Sequence, residues 1–492
     1  MNARPFRPRK WLTAMALPLA NTVAGCHGGE MVFDTEATDP CRAPTCSVVS
    51  SAEDAYWTAN VPVVEVTTDT ADVTVDEGAV AQIWEGFGGA FNERGWSYLT
   101  AHGLQDEALT LLFGEEGCRF VFGRIPIGAN DYAMDRYTLD ETPGDYPMEH
   151  FSIDRDRQRL IPYVEAALAV NPNIRFWACP WTPPTWMKTG EKTVSTPSPF
   201  DGGSMRDDDA ILEAYARYLT RFASEYGAEG ITIDVVSPQN EPSYEQPYPS
   251  CRWTPALYTK FIGAHLGPAL EAAGLSTKVM LGTLSDDSAG PEFAASVRDD
   301  PVARRFIGVI GMQWDMLDVV TDMTPQMQGL PLWQTEHQAG NYPWNPEGSP
   351  PYQPTAPNDH AYAVESWGLI RDWIKAGVTA YYAWNMVLDK TGQGLDTATD
   401  WAQNALLVVD GARLIKTPTY YVFRHLSQFV APRARVLGST GGDALAFENP
   451  DGSIVTVVYN RDAAKRFVVA VGGKKLAFDM PGDGWATVRY AR

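Results

Sequence analysis

Short apolar runs and helical periodicities take turns along the middle of the chain. The runs at 86–91, 119–127, 174–181, 231–236, 278–282, 306–314, 332–335 and 379–385 have the length and residue types of buried strands. Between the third and fourth, Ile211, Leu212, Tyr215, Tyr218, Leu219 and Phe222 recur on one face of a helix. Val364, Trp367, Ile370 and Ile374 repeat that spacing before the eighth run, and Gly377 supplies a stop. Pro162 and Pro268 interrupt two further helical patterns and predict kinked or restarted helices. Eight strands alternating with helices predict an α/β fold, a (β/α)8 TIM barrel over residues 81–420, with its chemistry on loops at the strands' C-terminal ends.

The pattern changes at both ends. Short β-type runs at 443–448, 454–460, 467–471 and 476–479 are separated by turn sequences such as Asn449-Pro450-Asp451-Gly452, which predicts an all-β domain over 421–492. Residues 61–80 alternate without a helix of their own and are expected to join it, as strands of one β-sandwich built from both chain ends. Residues 27–60 hold few large apolar side chains and six acids against one Arg, the composition of a flexible acidic tether.

Residues 1–26 begin with Arg4, Arg7, Arg9 and Lys10, continue through a short apolar stretch and end in Val23-Ala24-Gly25-Cys26. That layout predicts a lipoprotein-type signal peptide, with Cys26 as the lipidated first residue of an exported protein held at a bacterial cell envelope; plain secretion is the alternative. A membrane would then be touched only through lipid on Cys26. Of the remaining cysteines, Cys41 and Cys46 are close enough to pair in an oxidising compartment, whereas Cys118, Cys179 and Cys251 suggest no pairing.

The 16 Trp and 21 Tyr offer stacking faces with polar edges, as sugar-binding clefts do. A net charge of −22 repels phosphate and excludes nucleic acid as a partner. Neither Cys-x-x-Cys nor His-Glu-x-x-His occurs, so neither a metal nor a cofactor is expected.

The fourth run ends in Ser237-Pro238-Gln239-Asn240-Glu241-Pro242 and the seventh in Thr335-Glu336. Two carboxylic acids facing each other across a barrel mouth are what glycosidic hydrolysis requires, one protonated beside the leaving oxygen and one ionised beneath the anomeric carbon. Glu241 is expected to have a raised pKa, and Glu336 to be kept ionised by donors such as Arg124 or a nearby Tyr. Trp314 is assigned to the site because it ends the sixth run, and Trp333 to the core because it lies within the seventh. Gly86-Phe87-Gly88-Gly89 lacks the ending of a phosphate loop and is read as close packing inside the first strand. His337 is read as a loop residue.

These residues carry a resemblance. Gly86-Phe87-Gly88-Gly89-Ala90-Phe91, the stretch from Arg124 to Asp131, Pro180-Trp181-Thr182-Pro183-Pro184, Gln239-Asn240-Glu241-Pro242, Thr335-Glu336, Trp384-Asn385 and the run from Tyr420 to Val430 resemble, in order, glycoside hydrolase family 30 of clan A, which includes the glucosylceramidases. The resemblance implies a retaining β-glycosidase, with Glu241 as acid/base and Glu336 as nucleophile. It also implies that Asn240 binds the sugar's 2-hydroxyl, that Asp131, Trp181 and Trp384 line the subsite of the cleaved sugar, and that Arg124, Gln313 and Asn385 support them. Carbohydrate or glycolipid is the implied substrate. Gln313-Trp314-Asp315 departs from the His-Trp-Tyr common among glucosylceramidase-like members, which bears on the hydrogen bonds around the carboxylates. A catalytically silent glycan-binding surface lipoprotein is the competing reading, against which both retained acids and Asn240 argue.

Overall fold

The computed structural model describes residues 46–190, 192–323, 329–340, 356–396 and 401–491. Its centre is a closed barrel of parallel strands: β1 (Gly86–Ala90), β2 (Phe122–Ile127), β3 (Arg175–Pro180), β4 (Ile233–Val236), β5 (Lys278–Leu284), β6 (Ile307–Met312), β7 (Leu332–Gln334) and β8 (Ala380–Asn385). Each corresponds to one of the eight apolar runs. The α/β barrel with a side β-sandwich is therefore the fold of the chain.

The barrel is filled rather than hollow. Phe122, Trp177, Met280, Val309, Trp333 and Tyr382 pack within it, and the rings of Phe122 and Trp333 lie 5.3 Å apart. Gly88 and Gly89 serve this packing: a Cβ on Gly88 would stand 2.3 Å from the Phe122 carbonyl oxygen, and one on Gly89 would stand 2.4 Å from Met386. The helices close over the outer face. Asp208 caps Asp209–Ala228 by accepting from the Ala210 and Ile211 amides at 3.0 and 3.2 Å, and Asp359 caps His360–Lys375 from the Tyr362 amide at 2.9 Å. Pro162 sits at the start of Ile161–Val170, a helix restarted after Asp154–Arg159. Pro268 instead stands inside continuous helical backbone, where a π-turn (Phe261–Leu266) precedes Gly267–Ala272.

The second domain is one ten-stranded sheet that turns back on itself around Val48, Val73, Phe467, Leu476, Phe478 and Val488. Val63–Val66 and Val73–Ile83 belong to it, together with six strands after residue 434. Two expected boundaries need correction. The tether predicted for 27–60 contains two strands from Cys46 onward: Cys46–Ala52 pairs with Gly484–Tyr490 over seven registered positions, and Ala55–Thr58 pairs with Cys46–Ala52 in turn. Its polar residues misled because Ser50 and Ser51 are buried in the sheet, where Ser51 is satisfied by His425. The division at 420/421 falls inside the helix Pro418–Ser427, and the sandwich resumes only at Arg435. The signal segment with Cys26, and the Cys41 partner suggested for Cys46, lie outside the described residues. Cys118, Cys179 and Cys251 are buried and unpaired.

The helix Pro418–Ser427 clamps the two domains. His425 is buried, with Nδ1 on the Thr487 hydroxyl and Nε2 on the Ser51 hydroxyl, both at 2.8 Å, and burial lowers its pKa to about 3. Substituting His425→Ala removes both bonds and leaves two buried hydroxyls facing a cavity. A loss of about 2–4 kcal/mol is expected, measured as a lower midpoint of urea unfolding; an unchanged midpoint would show that the clamp carries no load.

Candidate active site

Side chains from β3, β4, β7 and β8 converge on one guanidinium. Arg124, on β2, is fully buried and lies 4.9 Å above Trp177 of the barrel filling, 4.3 Å from Trp181 and 5.2 Å from Trp384. Its Nη1 forms an ion pair with Glu336 Oε2, and its Nη2 donates to Asn240 Oδ1 at 2.6 Å. Trp314 Nε1 donates to the other oxygen of Glu336 at 2.9 Å. The donors expected for Glu336 were Arg124 or a tyrosine; Trp314 takes the second place.

Glu241 has a different environment. Gln313 Nε2 donates to its Oε1 at 3.2 Å and the Tyr248 hydroxyl approaches its Oε2 at 3.5 Å, but no cation pairs with it. The Thr335 hydroxyl donates to Gln313 Oε1 at 2.9 Å, which turns the amide nitrogen of Gln313 toward Glu241. Burial first, and then the charge of Glu336, push the Glu241 pKa up to about 7. Asn240 Oδ1 is engaged by Arg124 and by the Thr283 hydroxyl at 2.8 Å, so its amide nitrogen is left to donate into the cleft.

Backbone bonds between neighbouring strand ends hold these positions. The Asn240 amide donates to Pro180, the Glu241 amide to Thr283 and the Gln313 amide to Leu284, at 2.8, 3.2 and 2.8 Å. Glu241 and Trp314 both adopt left-handed backbone, with φ of 47° and 50°. Such conformations cost about 1–3 kcal/mol each in a non-glycine residue and persist where the surroundings impose them.

Asp131 completes the group. It is 6% exposed, and its Oδ1 has no hydrogen-bond partner. Burial, followed by the charge of Glu336, raises its pKa well above the ordinary range. With Tyr248, Asp396, Trp401 and Gln403 it lines a small cleft. Asn385 stands one layer out, in a chain of amides: Asn130 donates to Asn92, Asn92 to Asn385, and Asn385 to Gln403, at 2.6, 2.6 and 3.1 Å.

One reading changes. Trp181 and Trp384, expected as sugar-stacking platforms, are each 2% exposed. They stack on each other at 5.6 Å and receive the Arg124 charge, so their faces serve the site's interior. Trp314 is partly exposed and tilts against Trp401, which makes these two the aromatic wall open to a ligand. His337 is a loop residue, as read, but a buried one. It is buried between the Tyr381 and Ser366 hydroxyls, and burial lowers its pKa to about 3. Trp333 lies in the barrel filling, as read. Sequence reasoning missed Tyr248, Thr283, Ser285 and Trp401. Thr283 and Ser285 could have been found, because they stand where the fifth run ends.

Residues 84–430 match the glycosyl hydrolase family 30 TIM-barrel domain, and residues 435–488 match the β-sandwich domain of the same family. A Caenorhabditis elegans protein provisionally named glucosylceramidase 1 is 30% identical over 80% of this chain and 76% of its own length. The endo-1,6-beta-D-glucanase BGN16.3 of Trichoderma harzianum is 25% identical over 75% of this chain and 74% of its own. Among solved structures, SrfJ from Salmonella typhimurium superposes with a TM-score of 0.78 at 23% identity, over 91% of this chain and all of that one. The chain belongs to glycosyl hydrolase family 30 and is an O-glycosyl hydrolase for which carbohydrate or glycolipid is the substrate class.

The Glu241 proton makes stability depend on pH. The folded protein keeps it up to about pH 7, whereas the unfolded chain releases it near 4.5. Stability therefore falls as pH rises between those values, and the penalty persists above them. Glu241→Gln is expected to raise the unfolding temperature at pH 8 and to lose that advantage below about pH 4.5. A gain of equal size at both pH values would contradict the assigned environment.

Proposed function

We propose that this family 30 hydrolase is a retaining β-glucosidase working by double displacement. The observation that carries the reading is the asymmetry of the two acids: Glu336 pairs with the Arg124 guanidinium, while Glu241, which meets no cation among the described residues, holds its proton to about pH 7. A general acid and a nucleophile differ in this way.

In the first step a Glu336 oxygen bonds to the anomeric carbon, the bond from that carbon to the leaving oxygen breaks, and the Glu241 proton passes to that oxygen. The charge of Glu336 is thereby spent. Glu241, now ionised, takes a proton from water as the water oxygen bonds to the anomeric carbon, and the ester to Glu336 breaks with retention of configuration. Arg124 and Trp314 hold Glu336 from both oxygens and fix its line of attack. The Asn240 amide nitrogen is placed to donate to the sugar's 2-hydroxyl, and Asp131 Oδ1 to accept from another hydroxyl.

Glucose as the cleaved sugar is supported by the names of two relatives, the Trichoderma harzianum glucanase above and the lysosomal acid glucosylceramidase of Mus musculus. Carried over to this chain, they leave glucosylceramide and β-1,6-glucan as the two substrate classes.

A panel of p-nitrophenyl β-glycosides tests this, with proton NMR of the first-formed anomer. Retained β-glucose is expected from wild type. Glu336→Ala should lower kcat by at least about 10³-fold. Glu241→Ala should lose about 10²- to 10⁴-fold on alkyl glucosides and less on p-nitrophenyl glucoside, whose leaving group needs no proton. Inversion of configuration, or activity surviving Glu336→Ala, would sink the mechanism. Wild-type kcat/KM should decline as pH rises through about 7, with deprotonation of Glu241.

A further inference from the structure

Lys188, on the loop after β3, is 8% exposed, and its ammonium points at three main-chain oxygens. Nζ donates to the carbonyls of Phe200, Gly202 and Ser250, at 2.8, 2.7 and 3.1 Å. A buried ammonium is costly unless its donors are used, and here each of the three has an acceptor. The acceptors belong to two excursions from the barrel mouth, the long loop after β3 and the loop after β4. The two are joined at further points. Ser250 Oγ accepts from the Gly202 and Gln246 amides, both at 2.9 Å, and Glu245 accepts from the Thr193 and Gly203 amides.

What this knot carries toward the site is Tyr248. The Trp253 amide donates to the Pro242 carbonyl at 2.7 Å, so the segment between them leaves Glu241 and returns beside it. At its tip, Pro247-Tyr248-Pro249 places a proline on each side of the tyrosine, which narrows the backbone choices there. A second cation grips the other shoulder. Arg136, on the loop after β2, pairs with Asp201 at 2.8 Å and donates through Nη2 to the Pro247 and Leu395 carbonyls, each at 3.2 Å. Tyr248 is thus fixed at Pro247 by Arg136 and at Ser250 by Lys188. It is buried, its hydroxyl stands 3.5 Å from Glu241 Oε2, and it lines the cleft of Asp131. Burial raises its pKa well above the ordinary range, so the phenol remains a donor.

We infer that Lys188 and Arg136 are positioning residues of the glycosidase, which clamp the turn from Pro247 to Ser250 and so present the Tyr248 hydroxyl to Glu241 and to the sugar held beside Asp131. This rests on the role given to Glu241 under Proposed function. Once Glu241 has passed its proton to the leaving oxygen, the hydroxyl donates to the carboxylate that remains, an interaction stronger than the one it makes with the neutral acid. Both cations reach the turn through main-chain carbonyls and act through Tyr248. Three carbonyls that converge from two loops suit an ammonium with three rotatable donors, which a planar guanidinium would not replace.

The test is a pair of double-mutant cycles, read as kcat/KM on whichever p-nitrophenyl β-glycoside or β-linked glucan wild type cleaves best, at a temperature where circular dichroism shows every variant folded. Tyr248→Phe alone should lower kcat/KM by about tenfold, the loss of one donor at the reacting centre. Lys188→Met and Arg136→Met should each cost about tenfold as well, and adding Tyr248→Phe to either should cost less than about twofold more, because the hydroxyl has already left its place. Cations with a merely structural role would let the two losses multiply to about a hundredfold, which overturns the inference. Full activity in Tyr248→Phe, or in both clamp variants, overturns it too. Should Lys188→Met fail to fold, the cycle through the partly exposed Arg136 decides. These outcomes leave the mechanism of Glu241 and Glu336 standing. No turnover of any of the substrates by wild type overturns that mechanism and this inference with it.

Discussion

One guanidinium serves three buried carboxylates. Glu336, Glu241 and Asp131 are each less than a tenth exposed, and Arg124 is the cation that touches them, by an ion pair to Glu336 alone. Taking an ionised carboxylate out of water costs several kcal/mol after relaxation, so charges crowded on one cation cannot all be held cheaply. The protein resolves the conflict by protonation: Glu241 and Asp131 have raised pKa values, each through burial first and the charge of Glu336 second. The proposed division of labour between acid and nucleophile would follow from this arrangement of charge. No special chemistry in either glutamate is needed.

The arrangement has to be maintained against water, and the barrel does that. Arg124 rests on Trp177, which belongs to the packed barrel interior, and is covered by Trp181 and Trp384. The indoles that a sugar might have used are therefore committed to keeping the guanidinium dry and fixed. Breaking such a buried pair typically costs about 3–5 kcal/mol, so the site and the stability of the barrel mouth are joined at Arg124. Backbone bonds between adjacent strand ends hold the left-handed turns at Glu241 and at Trp314, the donor to Glu336. The strain in those turns is tolerable because the surrounding hydrogen bonds leave no alternative.

Around this rigid centre Asp131 keeps one buried oxygen without a protein partner. Gln313 belongs to the sequence departure Gln313-Trp314-Asp315. Its amide, oriented by Thr335, gives Glu241 a neutral donor where a cation would have lowered the pKa.

Period and punctuation in the sequence were sufficient for the barrel, because each strand and helix announces itself within a window of about ten residues. They also placed Glu241 and Glu336 at strand ends of one barrel mouth, since Asn240-Glu241-Pro242 and Thr335-Glu336 stand where apolar runs stop. The edge strands before residue 60 were not legible, because Cys46–Ala52 acquires its ladder from Gly484–Tyr490 at the far end of the chain. Nor was the assignment of partners within the site. Arg124 and Glu336 lie 212 positions apart, and Tyr248 and Trp401 occupy loops without any period. Local pattern determines where the chain is strand and where a strand ends. Which donor each carboxylate meets, which indole faces are already taken and which carboxylate is left without a partner depend on closing the barrel, since only closure brings eight strand ends together.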